Sequence, residues 1–224
     1  MRETSKTLRL LSESELRALS GRGLDIGCGD DPVRPDVQRF DVEQGDANRI
    51  TSFITELESF DYVFSSHCLE HMHDPRSAIA GWWELVKPGG TLMVIVPDED
   101  LYEQGYWPSL FNPDHKATFT ISKRKSWSPV SCNLSELAEA LPDAQPCSIR
   151  LQSAGYDPRY LAPAAWPRPA ARLAVRVRNR LVKRVPGARP LLNAVFRALR
   201  LPIDQTDGVV TAQNILVVSK RERS

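Results

Sequence analysis

The residues of this chain with the plainest chemical meaning are Leu24-Asp25-Ile26-Gly27-Cys28-Gly29-Asp30-Asp31-Pro32. An apolar strand running into Asp25-x-Gly27-x-Gly29 leaves bare backbone at a sharp turn, and a ligand can approach bare backbone closely. A dinucleotide loop needs a third glycine at position 32, which brings a helix against the strand and aims its N-terminus at a pyrophosphate. Position 32 is proline, and Pro35 follows. No Gly-Lys-Ser/Thr of a phosphate loop is present either. A zwitterionic amino-acid moiety carrying a sulfonium suits this loop better than a pyrophosphate does.

The second chemical set is histidine-rich. His67, His71, His115 and the carboxylate Asp114 are candidates for a general base acting on a hydroxyl, and histidine is favoured because its pKa lies near neutrality. Simpler readings stand beside these: His67 shapes a pocket, His71 caps a turn, and His115 fixes its loop. No zinc-ligand spacing links the histidines, and Cys28, Cys68, Cys132 and Cys147 form no C-x-x-C pair, so no metal is expected. Between residues 97 and 127 the pattern is irregular and aromatic. Tyr102, Tyr106, Trp107, Phe111 and Phe119 lie there among carboxylates, a combination that suits the apolar faces and hydroxyl edges of sugars. A satellite core under a long loop would read the same way.

These groups need a scaffold, and the chain supplies one by alternation. Ser12-Glu13-Ser14-Glu15 reads as a capped helix start, ending near Gly21. Strands are expected at 24–26, 37–42 and 61–66, and a helix at 48–58 from the spacing of Ile50, Phe53, Ile54 and Leu57. Asp74-Pro75 caps a further helix reaching Val86. Lys87-Pro88-Gly89-Gly90 then stops it and turns the chain into the apolar strand 91–96. A short helix at 134–141 and late strands at 147–151 and 214–219 complete an α/β pattern, a mainly parallel sheet with helices on both faces.

Composition is ordinary for a globular chain of 224 residues, with 42% hydrophobic and 25% charged. No run approaches a membrane span, and residues 1–23 lack the apolar stretch of a signal peptide. A reduced cytoplasmic setting is expected. The net charge of +1 hides a strong asymmetry: residues 168–200 carry ten Lys and Arg and no acid, which leaves 19 basic against 28 acidic residues elsewhere. The basic segment reads as two helices broken at Pro186-Gly187. It could lie on the anionic inner face of a membrane, hold RNA phosphates, or form a solvated face; nucleic acid ranks last.

Three motifs in order now resemble one family: residues 24–29, then Phe60-Asp61-Tyr62-Val63-Phe64-Ser65-Ser66-His67-Cys68-Leu69-Glu70-His71, then Leu85-Val86-Lys87-Pro88-Gly89-Gly90-Thr91-Leu92. They resemble small bacterial class I S-adenosylmethionine-dependent methyltransferases. Residues 96–103 and 111–116 look similar to a subgroup associated with cell-surface glycan synthesis. The resemblance implies a Rossmann-like, doubly wound, mostly parallel sheet with an antiparallel last strand, shortened near its second and third strands, where no first crossover helix fits between Gly29 and Val37. It implies S-adenosylmethionine as cofactor, with Asp25, Gly27, Cys28 and Gly29 around its methionine part and Asp41 on its ribose. Asp46 and Ala47 would meet the adenine, and Ser66 and His67 would close the pocket. Tyr102, Tyr106, Trp107 and Phe111 would meet the acceptor, and His115, Asp114 or His71 would serve as base.

The expected organisation is a helical extension at 1–22, a core at 23–157 with its acceptor loop at 97–127, a proline-rich and basic helical insertion at 158–207, and a terminal strand within 208–224. The favoured activity is O-methylation of a sugar hydroxyl in a surface glycan or its lipid-linked precursor. Small-molecule or RNA methylation, or a catalytically silent cofactor-binding module in a membrane-associated glycan-assembly complex, are the rivals.

Overall fold

A computed structural model describes residues 3–185 and 187–223. Eight strands form in chain order: β1 (Gly23–Ile26), β2 (Gln38–Phe40), β3 (Phe60–Ser66), β4 (Val86–Pro97), β5 (Thr118–Thr120), β6 (Ser131–Asn133), β7 (Ala144–Gln152) and β8 (Gln213–Lys220). The helices are α1 (Glu3–Leu8), α2 (Glu13–Arg17), α3 (Pro75–Glu84), α4 (Leu134–Glu139), α5 (Arg168–Arg184) and α6 (Ala188–Ala198). The main sheet has the order β2-β1-β3-β4-β8-β7. Its first four strands are parallel, and β8 runs antiparallel to both β4 and β7.

Alternation along the central strands divides the apolar side chains between two faces. Val63, Leu92, Val94 and Val96 pack with Trp82 and Trp83 of α3 and Leu134 of α4 on one side. Tyr62, Phe64, Met93 and Ile95 meet Leu11, Leu19, Val33 and Val37 on the other. The second face therefore has no long crossover helix after β1. The opening helices and the 27–37 loop cover it instead, so the described part of the expected 1–22 extension, residues 3–22, helps close the core. The capping box of α2 forms as expected, Ser12 Oγ accepting from the Glu15 amide while the Glu15 carboxylate accepts from the Ser12 amide. The sheet ends at β2, which is the expected shortening.

Two elements depart from expectation. Residues 48–58 do not form an α-helix; only a 3-10 turn, Ala47–Ser52, appears, with non-helical backbone at Arg49. Ile50 alone of the expected stripe is fully buried, whereas Phe53 and Leu57 face solvent, so packing never rewards the helical spacing. Lys87-Pro88-Gly89-Gly90 is not a separate turn either: β4 begins at Val86 and carries these residues as an irregularity in its register with β3. The 97–127 segment is better organised than a loop. A short π-helix, Glu99–Glu103, leads into it, and the buried Glu99 carboxylate accepts from the hydroxyls of Thr118, Ser126 and Ser131 and pairs with Lys123.

Candidate active site

The switch in strand order lies at β1, with β2 on one side and β3 on the other, and the crevice beyond the carboxyl ends of these strands is where open α/β sheets bind ligands. Gly27 leaves β1 at φ +76°, and its amide donates to Phe40 O at 2.8 Å, which ties the glycine loop to the end of β2. Asp41 follows directly. One of its carboxylate oxygens accepts from the Gly29 amide and the other from the Val42 amide, both at 2.7 Å. Each oxygen retains lone-pair capacity for a further donor. A cavity of about 460 Å³ opens here, lined by Gly27, Phe40, Asp41, Asp46, Ala47, Cys68 and Met72 among others. Apolar walls with two carboxylates at the rim suit a flat heterocycle joined to a diol.

Asp46 caps the 3-10 turn, and hydrogen bonds from the Asn48 side chain and then the Asn48 amide hold its carboxyl below the usual range. The Trp82 indole donates to Ala47 O at 2.9 Å, so α3 fixes this wall of the cavity. Asp25 is placed differently from expectation. It is buried at 1% exposure with a carboxylate oxygen accepting from the Val33 amide at 2.7 Å, so it closes the 27–33 loop from beneath and is not on the cavity wall. Burial raises its pKa to about 7, against the lowering by that amide. Cys28 lies beside Gly29 and Asp41 in an adjoining recess, and burial pushes its thiol up to about 11.

Ser66 and His67 do not close this cavity. His67 takes a left-handed conformation, φ 55°, which turns its ring away towards Gln213, whose Oε1 lies 2.9 Å from Nε2. Cys68 and Met72 form the wall instead. Burial holds the Cys68 thiol up at about 12, so it packs as an apolar group. A second, more polar cavity of about 270 Å³ lies across the same short segment, with His67, Glu70, His71, Tyr102, His115 and Gln213 among its lining. One turn, Leu69–His71, thus separates two cavities, presenting Cys68 and Met72 to one and His67, Glu70 and His71 to the other.

The second cavity gathers three of the four expected base candidates, His67, His71 and His115. His71 Nδ1 lies 2.8 Å from an Asp114 carboxylate oxygen, and His115 Nδ1 lies 2.6 Å from Glu103 Oε1 with both side chains buried. The His115 ring also contacts His71 and Tyr102, at centroid distances of 5.1 and 5.4 Å. Asp114 is exposed and orients His71 from outside the cavity lining. Burial opposes ionisation of Glu70, but His67 first, then His115 and His71, hold its carboxyl below the usual range.

Of the four expected acceptor aromatics, Tyr102 alone lines this cavity. Tyr106 is buried with its hydroxyl accepting from the Trp166 amide. Phe111 packs against Tyr102 and joins the small core of Val175, Phe196, Leu201 and Ile203. Trp107 lines neither cavity. Phe111 thus joins α5 and α6 to the body and Tyr106 holds the segment before α5, which is the satellite core that their clustering also fits. Glu70, Glu103 and Gln213 drew no role from the sequence, although Glu70 and Glu103 sit inside the motifs themselves.

Residues 2–127 match the family model described as a methyltransferase domain. Among solved structures, the YcgJ protein of Bacillus subtilis is 16% identical at a TM-score of 0.51, with 99% of this chain and 100% of that one covered. A protein of Bacillus halodurans C-125 is 15% identical at a TM-score of 0.51, with both chains covered in full. At these identities the likeness concerns the fold. No curated protein matches the sequence significantly.

Proposed function

This chain belongs to the methyltransferase-domain family and is a class I S-adenosylmethionine-dependent methyltransferase; from that premise we propose that it O-methylates a sugar hydroxyl of a cell-surface glycan or of its lipid-linked precursor. The observation that carries the reading is the pair of cavities on either side of the Leu69–His71 turn, one apolar with an acidic rim and one polar. The residues present fit the cofactor. A Cβ at Gly29 would enter open space, Asp41 offers its carboxylate to a ribose diol, and Phe40, Ala47 and Met72 offer apolar faces to an adenine. S-adenosylmethionine supplies a methyl group already activated on a sulfonium, so the protein's task is alignment and exclusion of water. The Leu69–His71 turn sets the distance between the two ligands. Tyr102, His71 and His115 hold an acceptor hydroxyl in the polar cavity, with Asp114 and Glu103 fixing the two imidazoles.

Transfer from radiolabelled S-adenosylmethionine to a panel of nucleotide sugars, lipid-linked saccharides, phenols and RNA tests the assignment. Label on a sugar oxygen is expected. His115→Ala should lower turnover by about 100-fold or more while leaving cofactor binding intact. Label confined to nitrogen acceptors or RNA would remove the glycan reading, and no label on any acceptor would favour a silent module.

The basic hairpin bears on where that acceptor is met. On α5, Leu173, Val177 and Leu181 are exposed at helical spacing, beside a groove of Arg176, Arg180, Lys183 and Arg184. On α6 Leu191 and Val195 are exposed as well, as is Leu199 at its C-cap. Arg178 is the exception, buried with its guanidinium on Asn193 Oδ1 and stacked over Phe196. Interleaved leucines and arginines suit an anionic lipid surface better than a phosphate backbone, which offers leucine nothing. None of the described helices is long and apolar enough to cross a membrane. The protein is expected to co-sediment with phosphatidylglycerol vesicles at low salt and not with phosphatidylcholine. At about 1 kcal/mol per basic residue, changing Arg176, Arg180, Lys183 and Arg184 to Gln should weaken this by on the order of 1000-fold. Equal binding by the fourfold variant, or RNA binding without vesicle binding, would discard the membrane role.

A further inference from the structure

We propose that Glu70, His71 and His115 form a binding site for a divalent transition-metal ion at the inner end of the acceptor cavity. One ligand atom from each of the three lies within 4.8 Å of the others, a separation that one ion can bridge. The second observation is independent of that geometry. Glu70 is 1% exposed, and neither of its carboxylate oxygens accepts a hydrogen bond among the described residues; its nearest cationic group is His67 Nδ1 at 3.3 Å. A buried carboxylate is ordinarily hydrogen-bonded, paired or bound to a metal ion, and among the described residues Glu70 has only the His67 imidazole as a cationic partner within 4 Å, without hydrogen-bond geometry.

The two histidines are already prepared as ligands. Each has Nδ1 committed to a carboxylate, His71 to Asp114 at 2.8 Å and His115 to Glu103 at 2.6 Å, which leaves Nε2 as the nitrogen for a metal. Metal-bound histidines are oriented in this way, the second carboxylate fixing the tautomer and raising the basicity of the ring. Two imidazoles and one carboxylate favour zinc, iron or manganese over magnesium or calcium, and three protein ligands leave positions open for an oxygen ligand. Glu70, His71 and His115 all line the polar cavity, so an oxygen ligand in that cavity would be within their reach. A hydroxyl bound there loses its proton more easily, which gives the ion a use in methylating an alcohol. That use rests on the methyltransferase reading, whereas the site itself does not.

The test separates the two. Protein stripped with a chelator and dialysed is titrated calorimetrically with Zn2+, Mg2+ and, separately, S-adenosylmethionine. One equivalent of Zn2+ is expected to bind and Mg2+ is not. Glu70→Gln and His115→Ala should each weaken Zn2+ binding by more than about 100-fold, and Glu103→Gln, which only orients His115, by about 10- to 100-fold. His73→Ala, outside the cluster, should bind Zn2+ as the parent does, and S-adenosylmethionine affinity should be unchanged in stripped protein. Co2+ substitution gives a reading that needs no variant: visible bands of low-coordinate nitrogen-oxygen ligation, displaced by Zn2+. No stoichiometric Zn2+ binding, Co2+ bands of the hexaaquo ion only, or Zn2+ binding undiminished in Glu70→Gln would overturn the site. Loss of S-adenosylmethionine binding alone would instead overturn the methyltransferase reading.

Discussion

Gly27→Val is expected to abolish calorimetric binding of S-adenosylmethionine, a loss of at least about 100-fold, or roughly 2.8 kcal/mol. Two causes act together. At φ +76° a β-branched residue is strained, and a Cβ built on Gly27 lies 2.6 Å from both Cβ and Sγ of Cys68. Cys68 belongs to the segment that divides the two cavities, so the clash resolves only if the glycine loop or the 67–72 segment moves. Either movement reshapes the cofactor cavity. The same strain lowers stability, so Asp41→Ala serves as a companion. Its side chain leaves the sheet intact and gives up two loop hydrogen bonds of about 1 kcal/mol each. Asp41→Ala should bind the cofactor about 10- to 100-fold more weakly, with a thermal midpoint lowered by roughly 4–8 °C and the protein still fully folded at 25 °C, where binding is measured. Parent-like affinity in both variants would show that the cofactor sits elsewhere.

The contrast between Gly27 and Glu70 shows which parts of this protein can be read from its sequence. The glycine loop is legible because its chemistry is local: strand, missing side chains and turn follow within six residues, and position 32 excludes the nearest alternative. The parallel sheet is legible for a related reason, since strand and helix periodicities each repeat along the chain and the caps at Ser12 and Asp74 mark two boundaries. The 48–58 stripe misleads because spacing shows that a helix has an apolar face but not that a surface exists to receive it; Ile50 found one in full and Ile54 in part, while Phe53 and Leu57 stay exposed. The polar cavity is hidden for a different reason. Glu70 and His71 meet His115 and Glu103 across more than thirty positions in sequence, by way of the segment after β4, so no spacing rule could join them. His67 was visible as a site residue, but its left-handed backbone, which sends the ring to the polar cavity, was not.

Asp25→Asn is expected to stabilise the protein above neutral pH, because the motif's carboxylate sits under the loop in apolar surroundings. Burial is the largest influence on Asp25 and raises its pKa to about 7; the Val33 amide and Arg39 act the other way, and Asp31 and Asp41 reinforce the rise. A carboxyl whose folded pKa is raised favours the folded state most when protonated. That contribution is complete below the unfolded value near 3.8 and is lost as pH climbs through about 7. The full span is on the order of 4 kcal/mol, an upper figure. Asparagine keeps an oxygen for the Val33 amide and carries no charge at any pH, but its buried amino group needs an acceptor of its own, so a net gain of about 2 kcal/mol at pH 8 is expected. For a chain of this length that is roughly 4–8 °C in thermal midpoint. Circular-dichroism melts from pH 4.5 to 8.5 should show the variant below the parent at the acid end, crossing it at mildly acid pH, and holding a steady lead once pH has passed about 7. A constant offset, or a variant less stable than the parent at pH 8, would mean that the ionised carboxylate is the form the loop requires, held by the Val33 amide strongly enough to outweigh its burial.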